Sequence, residues 1–435
     1  MEKSSEELSP SKRENSPPHR KKLPVPQPEK NNANFWYFLK QCIGRELTKI
    51  TMPVAWNEPL SFLERISEYV NYAFLLKVAH STEESDIINR LQLVTTFAVS
   101  SLASNNERLG KPFNPLLGET YELRNSEVRI LCEQVGHHPP VSAFYAEHPD
   151  GHFVFQGSIN PKVKFWGKSV EFSPKGTLSV HFPAFNETFT WSNVNCIVHN
   201  VIVGSLWMEH TGTMEIVNQK TKHRCVLTFK PGSWHSEPNN LHVVEGFLLD
   251  PNKNKLRFIY GKWTEFLCTV SIPSFEDFFK VKAEKIDIGA TKLPKHCPLN
   301  MCEISGSSLL WQADPRPEDS DIFYNFTEFA IRLNEIRANE SYLHTDCRHR
   351  PDIRALENGL LDLAASEKER LENKQREYRK PYKGKNESDW WTPKWFIPSK
   401  NEFTKESDWK YVGGFWEDPK RSIPRSDSLK IPDIF

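Results

Sequence analysis

Three groups of residues have types and spacings suited to holding an anion. The first is His137-His138-Pro139-Pro140, inside the stretch EQVGHHPPVSAFYAE. Imidazoles titrate near neutral pH, so the pair suits a partly protonated phosphate site. Successive strand residues point to opposite faces, so both rings reach one ligand only where a strand bends or ends. The prolines supply that end: the X-Pro bond pushes His138 toward extended geometry, and neither proline can donate to a ladder. The second group is Lys111 and Asn114 in ERLGKPFNPLLGETYELR. It offers a compact cation and an amide with NH₂ donors. The third is Lys368, Glu372 and Arg376, spaced i, i+4, i+8. On a helix these share one face over roughly 12 Å. Each group also has a plain structural reading: two histidines on a kinked edge strand, a polar connecting loop, and a ladder of ion pairs on a solvated helix face. Residue types alone leave both readings open.

Metal and catalytic chemistry are less well served. His296, Cys297 and Cys302 in HCPLNMC, with His344, Cys347 and His349 in HTDCRH, are zinc-capable types. Neither half forms a regular CxxC pair, so no metal site is expected. The chain has no GxSxG, HExxH, P-loop or GxGxxG signature, and it reads as a non-enzyme without a cofactor. The rival enzyme reading is a zinc hydrolase using His296, Cys297, Cys302 and Cys347.

The surrounding elements show a β-dominated α+β chain. Lys+Arg and Asp+Glu both number 56, so no global field favours nucleic acid or an acidic membrane, and no nucleic-acid partner is expected. Residues 1–33 hold six prolines and seven Lys/Arg with almost nothing apolar; they read as a disordered polar tail. In NFWYFLKQCIGREL, Phe35, Trp36, Phe38, Leu39, Cys42 and Ile43 recur at helical spacing, which predicts a short aromatic helix that is either core or a mobile cover. Residues 59–80 and 84–104 carry helix periods and predict a helical hairpin. From about 119 to 270 short alternating runs separated by turns predict antiparallel strands, as a sandwich or a barrel. Residues 353–380 predict one long helix, stopped by Pro381. Trp390, Trp391, Trp395, Trp409 and Trp416 then predict a chain wrapped over the surface and pinned by its indoles. Eight cysteines lie singly, the first thirty residues lack a signal peptide, and no run approaches the roughly 18 apolar residues of a membrane span. The expected setting is cytoplasmic, with reduced thiols.

EQVGHHPP closely resembles EQVSHHPP, the fingerprint of the oxysterol-binding protein-related family. KPFNPLLGE resembles its KPxNPxLGE segment, ELTKITMPV the stretch after its lid, and EKERLENKQREYRK its late helix. Together these cover about residues 34 to 420. The resemblance implies an incomplete antiparallel β-barrel enclosing a lipid tunnel. It divides the chain into lid and linker (34–58), helical segment (59–105), barrel (106–270) and C-terminal segment (271–435). It implies a short form holding the lipid-binding domain alone, since no pleckstrin-homology, ankyrin or FFAT-like tethering element is seen. The implied activity is exchange of sterol and phosphatidylinositol 4-phosphate between membranes, bound one at a time, with peripheral and transient membrane contact. A lipid-regulated adaptor using the same pocket is the alternative. Carried over by residue, His137 and His138 hold the 4-phosphate, with Lys111 and Asn114 as partners. Lys368 and Arg376 contact the headgroup, and Glu372 fixes that cluster. The lid falls on Phe35, Trp36, Phe38, Leu39 and Ile43, and Glu46, Leu47, Thr48 and Lys49 are nominated for the sterol side. One departure stands out: Gly136 replaces the usual Ser. That frees the backbone and leaves room for a 4,5-bisphosphate headgroup.

Overall fold

The computed structural model describes residues 19–29, 52–201, 204–232, 241–285, 299–338, 340–417 and 433–435. A short parallel pair, β1 (Asn57–Ser61) and β2 (Lys111–Phe113), precedes the main sheet. That sheet has 14 antiparallel strands: β3 (Thr120–Arg124), β4 (Arg129–His137), β5 (Pro140–Glu147), β6 (Val154–Phe165), β7 (Ser169–Lys175), β8 (Leu178–Phe182), β9 (Glu187–Trp191), β10 (Asn195–His199), β11 (Trp207–Asn218), β12 (Arg224–Phe229), β13 (Val243–Leu249), β14 (Lys255–Lys262), β15 (Phe266–Ser271) and β16 (Ser308–Gln312). β3 to β6 and β11 to β16 run as meanders. Between them the sheet divides. The long strands β6 and β11 are bridged by β8 and β9 along one half and by β7 and β10 along the other. β3 and β16 are the edges and do not pair with each other, so the barrel is incomplete. Its last strand lies beyond residue 270, the expected limit of the barrel.

β4 is buried from Ile130 to Gly136 because both of its faces are covered. Ile130 and Cys132 join Phe144 and Phe155 in the main core, while Leu131 and Val135 pack under Trp395, Phe396 and Phe415. A strand covered on both sides reads as a continuous apolar run rather than an alternation. The outer cover is the tryptophan-rich segment, whose hairpin pairs β17 (Phe396–Lys400) with β18 (Ser407–Tyr411). Glu133 fastens it by accepting the Lys394 and Trp395 N–H groups at 2.8 and 2.9 Å.

The helical segment departs from the expected hairpin. Pro59 lies in β1, and the first helix, α1 (Phe62–Ser67), begins only after Ser61, which forms a capping box with Glu64. A 3₁₀ turn and a bend separate it from α2 (Phe74–His80). α3 (Ile87–Ser100) is buried at every position from Arg90 onward, as befits a helix enclosed by the sheet. α4 (Ile272–Lys285) lies between β15 and β16, and α5 (Glu328–Leu333) follows the barrel. The helix expected over 353–380 is two: α6 (Pro351–Glu357) and α7 (Leu361–Arg379). Gly359 between them adopts φ +76°, a left-handed helix end that a glycine accepts without strain.

Residues 19–29 correct the expectation of a disordered tail. Arg20 donates to the Ile331 carbonyl at 2.6 Å and pairs with the buried Glu357 at 2.6 Å. Its backbone N–H reaches Glu335 at 3.0 Å. Leu23 is buried in the main core, and the Gln27 N–H donates to the Ile322 carbonyl at 2.8 Å. A single anchoring leucine and arginine are invisible in the average composition of 33 residues. Arg20→Ala is expected to cost about 1–3 kcal/mol, the range for a buried charged hydrogen-bond partner left alone. Urea unfolding checks this, and an unchanged midpoint would return the segment to a solvated tail.

Candidate functional site

The stretch Glu133–Glu147 is a hairpin interrupted where the prolines were expected to end a strand. β4 ends at His137, β5 begins at Pro140, and the two residues pair across the turn. The His138–Pro139 peptide is cis. The two imidazoles lie 4.5 Å apart between ring centroids, tilted by 39°, so one ligand can reach both. Burial, then the neighbouring His138 and Arg379, push the His137 imidazole down to about 3. The His137 imidazole of the free protein is therefore neutral near pH 7.

Lys111 sits in β2, beside β1. Asn57 Nδ2 donates to the Lys111 carbonyl at 2.9 Å, and buried ion pairs from Arg108 to Glu58 (2.9 Å) and Glu68 (2.6 Å) hold the approach to the strand. The Lys111 ammonium donates to Asn114 Oδ1 at 2.7 Å. Burial and the nearby Lys368 push it down to about 8, while Glu372 pulls the other way. On α7, Glu372 bridges Lys368 at 3.0 Å and Arg376 at 3.3 Å. Lys368 also donates to the Met52 carbonyl at 3.1 Å. The i, i+4, i+8 ladder is thus real, but its Lys368 end is buried rather than solvated.

One glutamine joins the groups. The Leu117 N–H donates to Gln375 Oε1 at 2.8 Å, and Gln375 Nε2 lies 3.3 Å from His137 Nε2. Arg350 fixes the loop after β2. It donates to the Asn114 carbonyl at 2.9 Å and pairs with Glu119 at 2.8 Å and Asp352 at 2.7 Å. His138 and Arg376 line one cavity of about 430 Å³ together with Arg379, Lys380, Lys383 and Lys385. The seven expected residues therefore gather around one side of α7, in two groups linked by Glu372 and Gln375. Sequence reading missed Gln375, Arg350, Arg379 and the three lysines after the helix. Arg379 follows Arg376 by three residues on the same face, a signal that was available. Gln375 and Arg350 had none.

Other expectations fall elsewhere. Phe35, Trp36, Phe38, Leu39, Ile43, Glu46, Leu47, Thr48 and Lys49 lie outside the described residues, as do His296 and Cys297. Cys302 neighbours Cys268, with sulfurs 3.8 Å apart. Cys347 is buried, and burial pushes its thiol well up. Among the described residues, ligand-like spacing occurs at His148, Asp150 and His152, in the turn at the other end of β5. There the two rings stack in near-parallel planes 4.1 Å apart, so their in-plane lone pairs do not converge on one ion. No described helix is long and apolar enough to cross a membrane.

A family model for the oxysterol-binding protein matches residues 34–420. The chain belongs to the oxysterol-binding protein family. It is 48% identical over 433 residues to mouse oxysterol-binding protein-related protein 1, covering 96% of this chain and 44% of that protein. It is 47% identical over 418 residues to human oxysterol-binding protein-related protein 2, covering 92% of this chain and 86% of that one. The chain thus spans under half the length of the first relative and most of the second. Among solved structures it resembles the Osh1 ORD domain in complex with cholesterol, with TM-score 0.77, 31% identity, and coverage of 93% and 92%. It also resembles the Osh3 ORD in complex with PI(4)P from Saccharomyces cerevisiae, with TM-score 0.72, 30% identity, and coverage of 93% and 96%. The incomplete barrel matches these family members, and the family region contains all seven residues gathered at α7.

Proposed function

We propose that this chain is a lipid-transfer protein that binds a sterol or a phosphoinositide, one at a time, and exchanges them between membranes. The observation that carries this reading is the placement beside α7 of two neighbouring groups, Lys111, Asn114 and Lys368 on one hand and His137, His138 and Arg376 on the other, with Glu372 between the helix cations. Charge-assisted hydrogen bonds from such groups suit a phosphomonoester. The lipid's apolar part enters the barrel interior, where burial is worth ~25 cal/mol per Å². No bond is made or broken. The cholesterol and PI(4)P carried by the two related ORD structures support this pair of ligands. Phosphatidylinositol 4-phosphate is the first headgroup to try and the 4,5-bisphosphate the second, because Gly136 leaves the histidine turn without a side chain before it.

Liposome extraction with labelled sterol and labelled phosphatidylinositol 4-phosphate, assayed separately, tests the reading. Uptake of both is expected, followed by transfer to acceptor liposomes. Binding without transfer would favour a lipid-regulated adaptor, and uptake of neither would sink the proposal. A pH dependence follows from Lys111, whose ammonium is charged below about 8 and neutral above it. A bound phosphate raises that value. Phosphoinositide extraction should therefore fall roughly tenfold between pH 7 and 10, the scale of one charge-assisted hydrogen bond. Lys111→Arg should keep it, because guanidinium does not deprotonate in that range.

A further inference from the structure

The cavity beside the histidine turn has a cationic wall of Arg376, Arg379, Lys380, Lys383 and Lys385. Among the described residues that line it, one carboxylate is present, that of Glu387. Glu387 Oε1 accepts the His137 backbone N–H at 2.7 Å, and the His138 backbone N–H also favours the ionised form of this carboxylate. Oε2 is buried without a hydrogen-bond partner. A Cβ at position 136 would stand 3.5 Å from Oε1, an ordinary van der Waals contact, and 3.1 Å from the Pro139 carbonyl oxygen, a tight one. Two successive backbone N–H groups converging on one point form an anion site. A carboxylate with one buried oxygen unpaired fills such a site at a cost, since the unpaired oxygen has lost its water.

We infer that Glu387 is an internal anion that holds the amides of His137 and His138 and competes with the headgroup phosphate for them. This rests on the phosphoinositide reading of the site. The tether suits a displaceable group. Glu387 opens a single 3₁₀ turn, Glu387–Asp389, in the stretch between the end of α7 and the pinned Lys394. Trp390 in the same stretch stacks on Tyr382, with centroids 4.7 Å apart and planes at 9°. A phosphate offers more acceptor oxygens and more charge than a carboxylate to Arg376, Arg379 and the lysines. Its arrival returns Glu387 to solvent, and departure of the lipid lets Glu387 close the site again. Affinity for phosphoinositide is thereby lowered to a level that permits release.

Glu387→Gln and Glu387→Ala, each checked for an unchanged melting curve, test this in liposome extraction and in calorimetry with soluble glycerophosphoinositol 4-phosphate. Both variants should bind the headgroup roughly tenfold more tightly, the scale of one displaced charge-assisted contact, with sterol extraction unchanged. Tighter binding by the variants supports the inference even where the wild type extracts little phosphoinositide. Equal or weaker binding by both, beside a competent wild type, overturns it and leaves the lipid-transfer reading intact, because Glu387 would then be a strut for the turn. The inference is equally overturned if glutamine changes nothing and alanine weakens binding. Failure of all three proteins to bind phosphoinositide defeats the lipid reading itself, and the inference with it.

Discussion

Alanine at both His137 and His138 should reduce phosphoinositide extraction by about 100-fold or more and leave sterol extraction within about twofold. Two charge-assisted hydrogen bonds are removed, each worth about 1.5–3 kcal/mol. The backbone N–H groups and the cations of α7 remain, so the loss stops short of the full sum. A pH signature separates a phosphate contact from a packing role. His137 titrates at about 3 in the free protein, chiefly through burial. A phosphate dianion beside it raises that value, so binding takes up a proton and tightens as pH falls. The rise should run from pH 7.5 down to about 6, where the phosphate's own second ionisation begins to oppose it. The double variant should lose this slope. Glu387, whose carboxyl is pushed up by burial, returns to solvent on binding and so releases a proton, which opposes this slope; Glu387→Gln isolates the histidine part. Loss of sterol extraction together with phosphoinositide extraction would instead mark the pair as structural.

Arg350→Met should be the most destabilising single change near the site, at about 3–5 kcal/mol, because it removes one partner of a buried charge cluster. Glu119 and Asp352 are fully buried and both pair with this guanidinium. Lysine cannot reproduce its fork of donors, so Arg350→Lys should recover only part of the loss. The sign with pH is set by Glu119, whose carboxyl burial already holds above its ordinary value. Without Arg350 that value rises further. A raised carboxylate contributes stability at low pH that is lost as pH climbs through its folded value. The deficit should thus be smaller at pH 5 than at pH 8 in urea unfolding. Phosphoinositide binding should weaken with it, since Arg350 also holds the Asn114 carbonyl. An equal deficit at both pH values would show that Glu119 is not left ionised and unpaired.

What the sequence alone determined about this protein is what depends on neighbours in the chain. The 3.6-residue spacing of Lys368, Glu372 and Arg376 is local, so it can be read directly; the Ser61/Glu64 capping pair is equally local, but the helix period read from 59 onward passed over it. Strand alternation and Pro139-Pro140 marked the β4–β5 region and its interruption. The glycine that ends α6 was also legible, and was overlooked because the apolar period continues across it. What only the tertiary structure decided is every contact made across long separations. His137 and Glu387 are 250 residues apart, Leu117 and Gln375 258, and Asn114 and Arg350 236. A side chain with a distant partner leaves no period and no spacing in its own stretch. Gln375 reads as one more polar residue on a helix, and Glu387 as one more acid in a loop. The burial that neutralises His137 has the same origin. It is produced by α7 and the chain after it folding over the turn, and no residue beside His137 encodes it.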